Sequence, residues 1–519
     1  MNGKRDYFRE LTGQIKKDVF RRTKHPETRD LLFKQTHSKY PLRSLGSGID
    51  GELFISEEER IDHCHILGTT GEGKSKFIEY LIREDIRRGN GVCLLDPTDR
   101  AETAYNILKF CIEQGHEKVC LIDPHLEKIT CIQPFHSKYK EATVANVMDT
   151  IRILFNSKDA AETPVIQKYL PAIVNVLHNA KMTLHEAKYF MEYKRSGFRR
   201  KQILEASGEF DRHRLILEES FDTYFRFDKD IGSSTRRLEP FFDSRLDLMF
   251  AAPGIDFAKM ISEGWVILVN LYAGLGFEPI HSRLLGTTVI NEIIFALDRL
   301  RKNDWKGVYY LYVDEAGRYA NRNLADLLAY KRKSGLRVTI AHQYFAQFED
   351  KYILDAVKNL TKIKIMFHTP GYQDRLEMIK ALGYGGDIPH TMATYANQNL
   401  PKQQAIIKVG KDSPKRIKIP DVPDPDIKYD VSNFLNNEWN YTRPQIYEII
   451  NNRFNNQRYA RPQTKNTRTS HARTAPDRRS NRQTGVPDKR TAGNKWQSVS
   501  ENVPVGTKHA DADGKGQGH

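Results

Sequence analysis

Short, uninterrupted apolar runs alternate with amphipathic stretches over most of this chain, and the two periodicities predict an α/β fold. His63-Cys64-His65-Ile66-Leu67 predicts the first strand, and Phe77-Ile78-Glu79-Tyr80-Leu81-Ile82 follows with helical spacing. Gly91-Val92-Cys93-Leu94-Leu95 predicts a strand that ends in Asp96-Pro97. Tyr105, Ile107, Leu108 and Phe110 then mark a helix, and Val119-Cys120-Leu121-Ile122 repeats nearly the same strand before Asp123-Pro124. Runs without polar alternation bury both faces of a strand. They therefore predict a parallel sheet covered on both sides by helices.

The pattern changes over 136–260. Val144, Val147, Met148 and Ile151 recur at helical spacing, as do Val165, Tyr169, Leu170, Ile173 and Val176, so an inserted all-helical subdomain is expected. Lys194-Arg195 and Arg199-Arg200-Lys201 within it form a basic cluster, either a solvated helix face or a contact surface. Over 261–425 the α/β pattern returns. Strands are expected at Trp265–Leu271, Val308–Glu315, Val338–Gln343, Ile363–Phe367 and Ala405–Val409, with a long helix ending near Leu300. Pro420, Pro423 and Pro425 mark the exit. The expected division is a basic arm over 1–45, an α/β domain in two parts over 46–135 and 261–425, the helical insertion between them, a docking helix within 426–456, and a tail over 457–519. The tail is rich in Arg, Asn, Thr, Gly and Pro and is expected to be disordered.

Charge sharpens this division. The formal net charge is +15 over 519 residues, and the excess sits mostly in the two ends. A polyanionic partner follows, either nucleic acid or an acidic membrane surface. The five cysteines, Cys64, Cys93, Cys111, Cys120 and Cys131, form no C-x-x-C pair, and three lie in expected strands. They are expected to be buried thiols in a reducing compartment. In His63-Cys64-His65, strand alternation puts the thiol opposite the two imidazoles, which favours core packing over a metal site. The N-terminus lacks a signal-peptide pattern, and no run reaches the ~18 apolar residues of a membrane span. A cytoplasmic location is expected, with room for peripheral attachment to the inner face of the cell membrane.

Candidate chemistry starts at Gly68-Thr69-Thr70-Gly71-Glu72-Gly73-Lys74-Ser75, which reads G-x-x-x-x-G-K-S between an expected strand and an expected helix. Glycines there let several backbone N–H groups converge on one anion, and the helix start adds positive potential. This is the phosphate-binding loop of nucleoside triphosphatases. Lys74 is expected on the β- and γ-phosphates of ATP and the Ser75 hydroxyl on Mg²⁺. Such a loop needs an acidic strand end nearby. Tyr310-Leu311-Tyr312-Val313-Asp314-Glu315 offers one, with Asp314 for Mg²⁺ and Glu315 as general base toward water. Gln343 ends the next strand, from which an amide can sense the γ-phosphate or the attacking water.

Taken together, the phosphate loop, Leu94-Leu95-Asp96-Pro97, Val313-Asp314-Glu315-Ala316, Arg332-Lys333-Ser334-Gly335-Leu336 and Ala341-His342-Gln343 resemble the HerA/FtsK superfamily of DNA-pumping ATPases, and most of all the TraD-like conjugative coupling proteins of type IV secretion. The resemblance spans roughly 46–425. It implies a RecA-like motor that assembles as a homo-hexamer and threads DNA through a central channel. It also implies that Arg332 acts as an arginine finger on the neighbouring subunit, with Gln343 as the sensor. Such coupling proteins commonly begin with membrane-spanning helices, and this sequence shows none. A separately encoded anchor, a relaxase or a secretion-channel protein is then the expected partner besides DNA. Two other readings stand beside the DNA motor: an ATP-switched secretion adaptor that recruits a protein cargo, and a HerA-like translocase in DNA processing. A packaging motor with a fused nuclease would need a carboxylate cluster in a folded C-terminal domain, and the tail offers none.

Overall fold

The computed structural model describes residues 43–48, 51–135, 139–152, 164–192, 196–209, 211–222, 226, 242, 245–330, 335–383 and 397–459. The arm up to residue 42, Lys194-Arg195, Arg332 and the tail from residue 460 lie outside the described residues.

Thirteen strands are present among the described residues: β1 (Arg43–Gly48), β2 (Gly51–Ile55), β3 (Cys64–Leu67), β4 (Gly91–Asp96), β5 (Val119–Ile122), β6 (Ile129–Thr130), β7 (Val266–Asn270), β8 (Tyr309–Val313), β9 (Leu336–His342), β10 (Ile363–Met366), β11 (Gln404–Val409), β12 (Lys415–Lys418) and β13 (Asn440–Tyr441). Eleven form one sheet in the order β2-β1-β12-β11-β10-β3-β9-β8-β4-β7-β5. From β10 to β5 every pairing is parallel, while β11, β12, β1 and β2 add an antiparallel extension at the β10 side. Side chains alternate across the parallel strands as period two requires. Cys93, Leu95, Ile267, Val269, Leu311 and Val313 enter one apolar cluster. Val92, Leu94, Val266, Leu268, Tyr310 and Tyr312 enter the other. Each face therefore has its own core, and the α/β expectation holds.

The second face is covered by the helices Lys74–Arg87 and Glu102–Glu113, through Phe77, Leu81, Ile107 and Phe110. The first carries the helix Pro279–Lys302 and everything between β6 and β7. All described secondary-structure elements in that interval are helical, from Lys140–Arg152 to Phe257–Ser262. Tyr169, Ile173, Val176, Leu177 and Phe190 share one apolar cluster with Leu311 and Val313 of the sheet, so this stretch has no separate core. The C-terminal helix is Arg443–Tyr459, so it fills only the second half of the 426–456 stretch and runs past its end. Before it, Asn440–Tyr441 is drawn into a two-stranded pairing with β6. Ile446 and Phe454 dock the helix on the same core, and Trp439 meets Trp265 edge to face.

The extension β1, β2 and β12 has no strand signature in the sequence. In β12 only Ile417 is buried, and β1 reads Arg-Ser-Leu-Gly-Ser-Gly. These segments become strands because β11 offers an open edge to pair with. All five cysteines are free and buried. Burial pushes the Cys64, Cys111, Cys120 and Cys131 thiols up to about 12, so they are inert as nucleophiles. Cys64 lies in the second core, while the His65 ring stacks on His342 on the other face. His63 accepts from the Val338 N–H. His63-Cys64-His65 is thus core and strand-end packing. Among the described residues no helix is long and apolar enough to cross a membrane.

Candidate active site

All seven parallel strands end on one edge of the sheet, and the phosphate loop leaves β3 in the middle of it. The loop is held from both neighbours. Gly68 N–H donates to the His342 carbonyl (3.2 Å), and Thr69 N–H and Oγ1 both donate to the His368 carbonyl, at 3.4 and 3.2 Å. The Gln403 N–H donates to the Glu72 carbonyl (3.1 Å), and the Glu72 carboxylate lies 3.5 Å from His368 Nδ1. Gly71 and Gly73 have φ of +83° and +107°, which L side chains adopt only under strain. A Cβ at Gly68 would stand 2.6 Å from Phe367 Cβ, so the close approach of loop to β10 needs glycine. The helix Lys74–Arg87 then begins with no side-chain cap, which leaves its first N–H groups for a ligand.

The opposite wall is the end of β8. At the far end of the loop's helix, Asp85 and Arg60 both hold the Tyr312 hydroxyl of β8, so helix and strand are fixed to one another. Beyond Val313 the chain turns sharply, and Glu315 takes a left-handed conformation (φ +49°, ψ +43°). Its N–H donates back to Asp314 Oδ1 (2.9 Å). Non-glycine residues store strain in this region, and such strain concentrates at functional sites. The turn aims two carboxylates at the phosphate loop. Lys74 Nζ donates to Asp314 Oδ1 at 2.8 Å and to Glu315 Oε1 at 2.6 Å. Ser75 Oγ donates to Asp314 Oδ2 at 3.1 Å.

From β9, Gln343 Nε2 donates to Glu315 Oε1 at 2.8 Å. Gln347, one turn further on, donates its Nε2 to Glu315 Oε2 at 2.8 Å. Burial by itself would raise the Glu315 carboxyl. The Lys74 ammonium, with the two amides, more than reverses this and holds it below the usual range. Lys74 is the mirror case: burial would lower it, and Asp314 and Glu315 instead raise it. Both groups are therefore charged at neutral pH.

The structure thus brings Gly68 to Ser75, Asp314, Glu315 and Gln343 into one cluster. Arg332 is outside the described residues. Gly335, the nearest described residue after it, immediately precedes β9, at the end away from His342 and Gln343. Seven strand residues separate those two edges by about 20 Å.

Residues 59–262 match the family model for the central domain of the helicase HerA. Over those residues the chain is similar to the HerA central domain. The chain shares its fold with the bacterial conjugative coupling protein TrwBdeltaN70 in its unbound form, with a TM-score of 0.52 at 14% identity, over 77% of this chain and 93% of that one. TrwB in complex with ADP and Mg²⁺ aligns with a TM-score of 0.50 at 15% identity, over 76% and 94%. VirB4 of Thermoanaerobacter pseudethanolicus aligns with a TM-score of 0.45 at 15% identity, over 73% and 96%. At these identities the likeness to the solved structures is one of fold. No curated protein matched the sequence.

Two features of the site are not announced by the sequence, the way Asp96 is used and the part taken by Gln347. Asp96 is a buried carboxylate at the end of β4, beside β8, yet it is spent within its own loop. It accepts from the N–H and hydroxyl of Thr98 and from the Ala104 N–H at 2.7 Å, and burial pushes it up to about 6. The other is Gln347, which lies outside every motif. The one signal for it is a Gln three residues after the start of a turn, the spacing of a capping box, and Tyr344 at the cap position hides it.

Proposed function

We propose that this chain is an ATP-hydrolysing motor that moves DNA in the manner of conjugative coupling proteins. The observation that carries the reading is the Lys74, Ser75, Asp314, Glu315 and Gln343 cluster at the phosphate loop. Ser75 Oγ and Asp314 Oδ2 form a hard oxygen pair at the helix start, which fits Mg²⁺. When bound, the metal would neutralise charge on the β- and γ-phosphates. The loop N–H groups and Lys74 would hold the phosphate chain. Glu315, kept ionised, is placed to take a proton from the attacking water, and Gln343 beside it to orient that water.

TrwB, whose fold this chain shares, has been solved with ADP and Mg²⁺ and with an analogue of ATP, which supports the same ligands here. The +15 net charge supports DNA as the track, gripped by phosphate contacts that read no bases. A homo-hexameric ring, Arg332 acting on the neighbouring subunit and a cytoplasmic location at the membrane's inner face complete the proposal. Glu315 held with two amide donors favours turnover over a passive switch, and so the motor over the secretion adaptor.

The test is hydrolysis of ATP with and without DNA, at low and high salt. Wild type should hydrolyse ATP, DNA should stimulate it at low salt, and Lys74→Ala should abolish it. Hydrolysis indifferent to DNA at low salt would remove DNA from the reading.

A further inference from the structure

We infer that Gln347 is the positioning residue for Glu315, and that it ties the general base to the backbone of the sensor Gln343; this rests on the hydrolytic reading of the site. The Gln347 amide has one chemically consistent orientation. Its Oε1 faces two backbone donors, the N–H of Gln343 at 2.8 Å and the N–H of Tyr344 at 3.3 Å. The Nε2 end must then face Glu315, where it meets Oε2 at 2.8 Å. One planar group therefore spans the sensor's main chain and the base's carboxylate.

The two Glu315 oxygens are divided in a definite way. Oε1 is shared by Lys74 and Gln343, groups that the bound phosphates would also engage. Oε2 is held by Gln347. When phosphates compete for Lys74 and Gln343, Gln347 remains as the contact that fixes the carboxylate plane. The backbone is built around this contact. Gly317 lies in the turn just after Glu315, and a Cβ there would fall 2.4 Å from Gln347 Cβ and 2.8 Å from its carbonyl oxygen. Gln347 itself is fixed by a single turn of 3-10 helix, Phe345–Gln347, and the Phe345 N–H is held by Asp374 Oδ1 at 2.7 Å.

Two variants separate positioning from folding. Gln347→Glu keeps an oxygen acceptor for the Gln343 and Tyr344 N–H groups, but it replaces the donor to Glu315 with a carboxylate that repels it. Gln347→Leu removes both. In full-length protein, Gln347→Glu should lower kcat for ATP about 10- to 100-fold, the usual cost of a misplaced catalytic group. In Gln347→Leu, which adds no charge, KM and the affinity for a non-hydrolysable ATP analogue should stay within about twofold, because Gln347 touches neither the loop nor Lys74. In a Glu315→Gln background, adding Gln347→Glu should cost nothing further, since the group it positions is already disabled. Wild-type kcat in Gln347→Glu, or an equal loss of analogue affinity in Gln347→Leu, would overturn the inference, as would a full additive loss in the Glu315→Gln background. If Glu315→Gln alone hydrolyses ATP at the wild-type rate, the base assignment fails instead, which is a distinct outcome. Should Gln347→Leu unfold while Gln347→Glu does not, the second variant still decides.

Discussion

Lys74 is the only cation among the described contacts of Asp314 and Glu315, so its removal from the nucleotide-free protein has a calculable cost. The two carboxylate side chains are 5% and 11% exposed, and the lysine 4%. At these separations and an effective dielectric near 20, each pair attracts by about 6 kcal/mol gross. Desolvation of the three charges offsets most of that, so the intact cluster contributes little net stability. The cost appears when one partner goes. Breaking a buried pair typically destabilises by about 3–5 kcal/mol, because the remaining charge stays buried without its partner. Here Asp314 keeps the Ser75 hydroxyl and the Glu315 N–H, and Glu315 keeps two amides. Lys74→Met should therefore sit at the low end, about 3 kcal/mol, read as a fall in the urea midpoint at constant slope. Lys74→Met/Glu315→Gln should recover about 1–2 kcal/mol of it, since one buried charge has been removed.

The sign of the pH dependence is fixed by the same geometry. In the wild type Glu315 lies below the ordinary carboxylate range, so its contribution is present at neutral pH and is lost as pH falls through and below that range. Without Lys74, burial dominates and the carboxyl moves up, so protonation relieves the strain. The Lys74→Met deficit should then shrink as pH is lowered from 7.5 toward 5. An unchanged midpoint at pH 7.5, or a deficit that grows in acid, would refute the electrostatic account of the cluster.

Other outcomes follow from single contacts. Gly317→Ala should lower kcat about tenfold with KM little changed, because its Cβ displaces Gln347; steady-state kinetics checks this. Native mass measurement of Glu315→Gln with ATP and Mg²⁺ should show a hexamer, whereas a stable monomer would remove the role given to Arg332. Deletion of 457–519 should weaken DNA binding roughly tenfold at low salt and flatten its salt dependence if the tail contacts phosphates, as a binding titration would show.

How much of this site can be read in the sequence depends on where the stabilising partners come from. The parallel strands are legible because Val92, Leu94, Val266 and Leu268 on one face, and Leu95, Ile267 and Val269 on the other, must all be apolar wherever the strand lies in the sheet. The strands β1 and β12 are not legible, since β12 pairs on the edge of β11, β1 pairs on β12, and few of their own residues are apolar. The same distinction runs through the acidic strand ends. Asp96, Asp123 and Asp314 each close a buried strand, and their local patterns are nearly alike. Asp96 is consumed by Thr98 and Ala104, and Asp123 by Tyr105, the His125 N–H and Asn270. For Asp96 the chain after the strand folds back and supplies the donors, whereas Asp123 takes only the His125 N–H from that side and the others from Tyr105 and Asn270. Asp314 is followed by Glu315 in the left-handed region, which swings the backbone away, so Oδ2 is left to Ser75 and Oδ1 to Lys74 as well as to its neighbour's N–H. The left-handed turn at Glu315 thus separates Asp314 from Asp96, whose own loop consumes its carboxylate. Glu315 can hold that conformation because Lys74, Gln343 and Gln347 anchor its side chain from three directions. Of those three only Lys74 belongs to a sequence pattern that fixes its place, Gln343 depends on its strand ending at the same sheet edge, and Gln347 depends on a turn that no residue pattern announces.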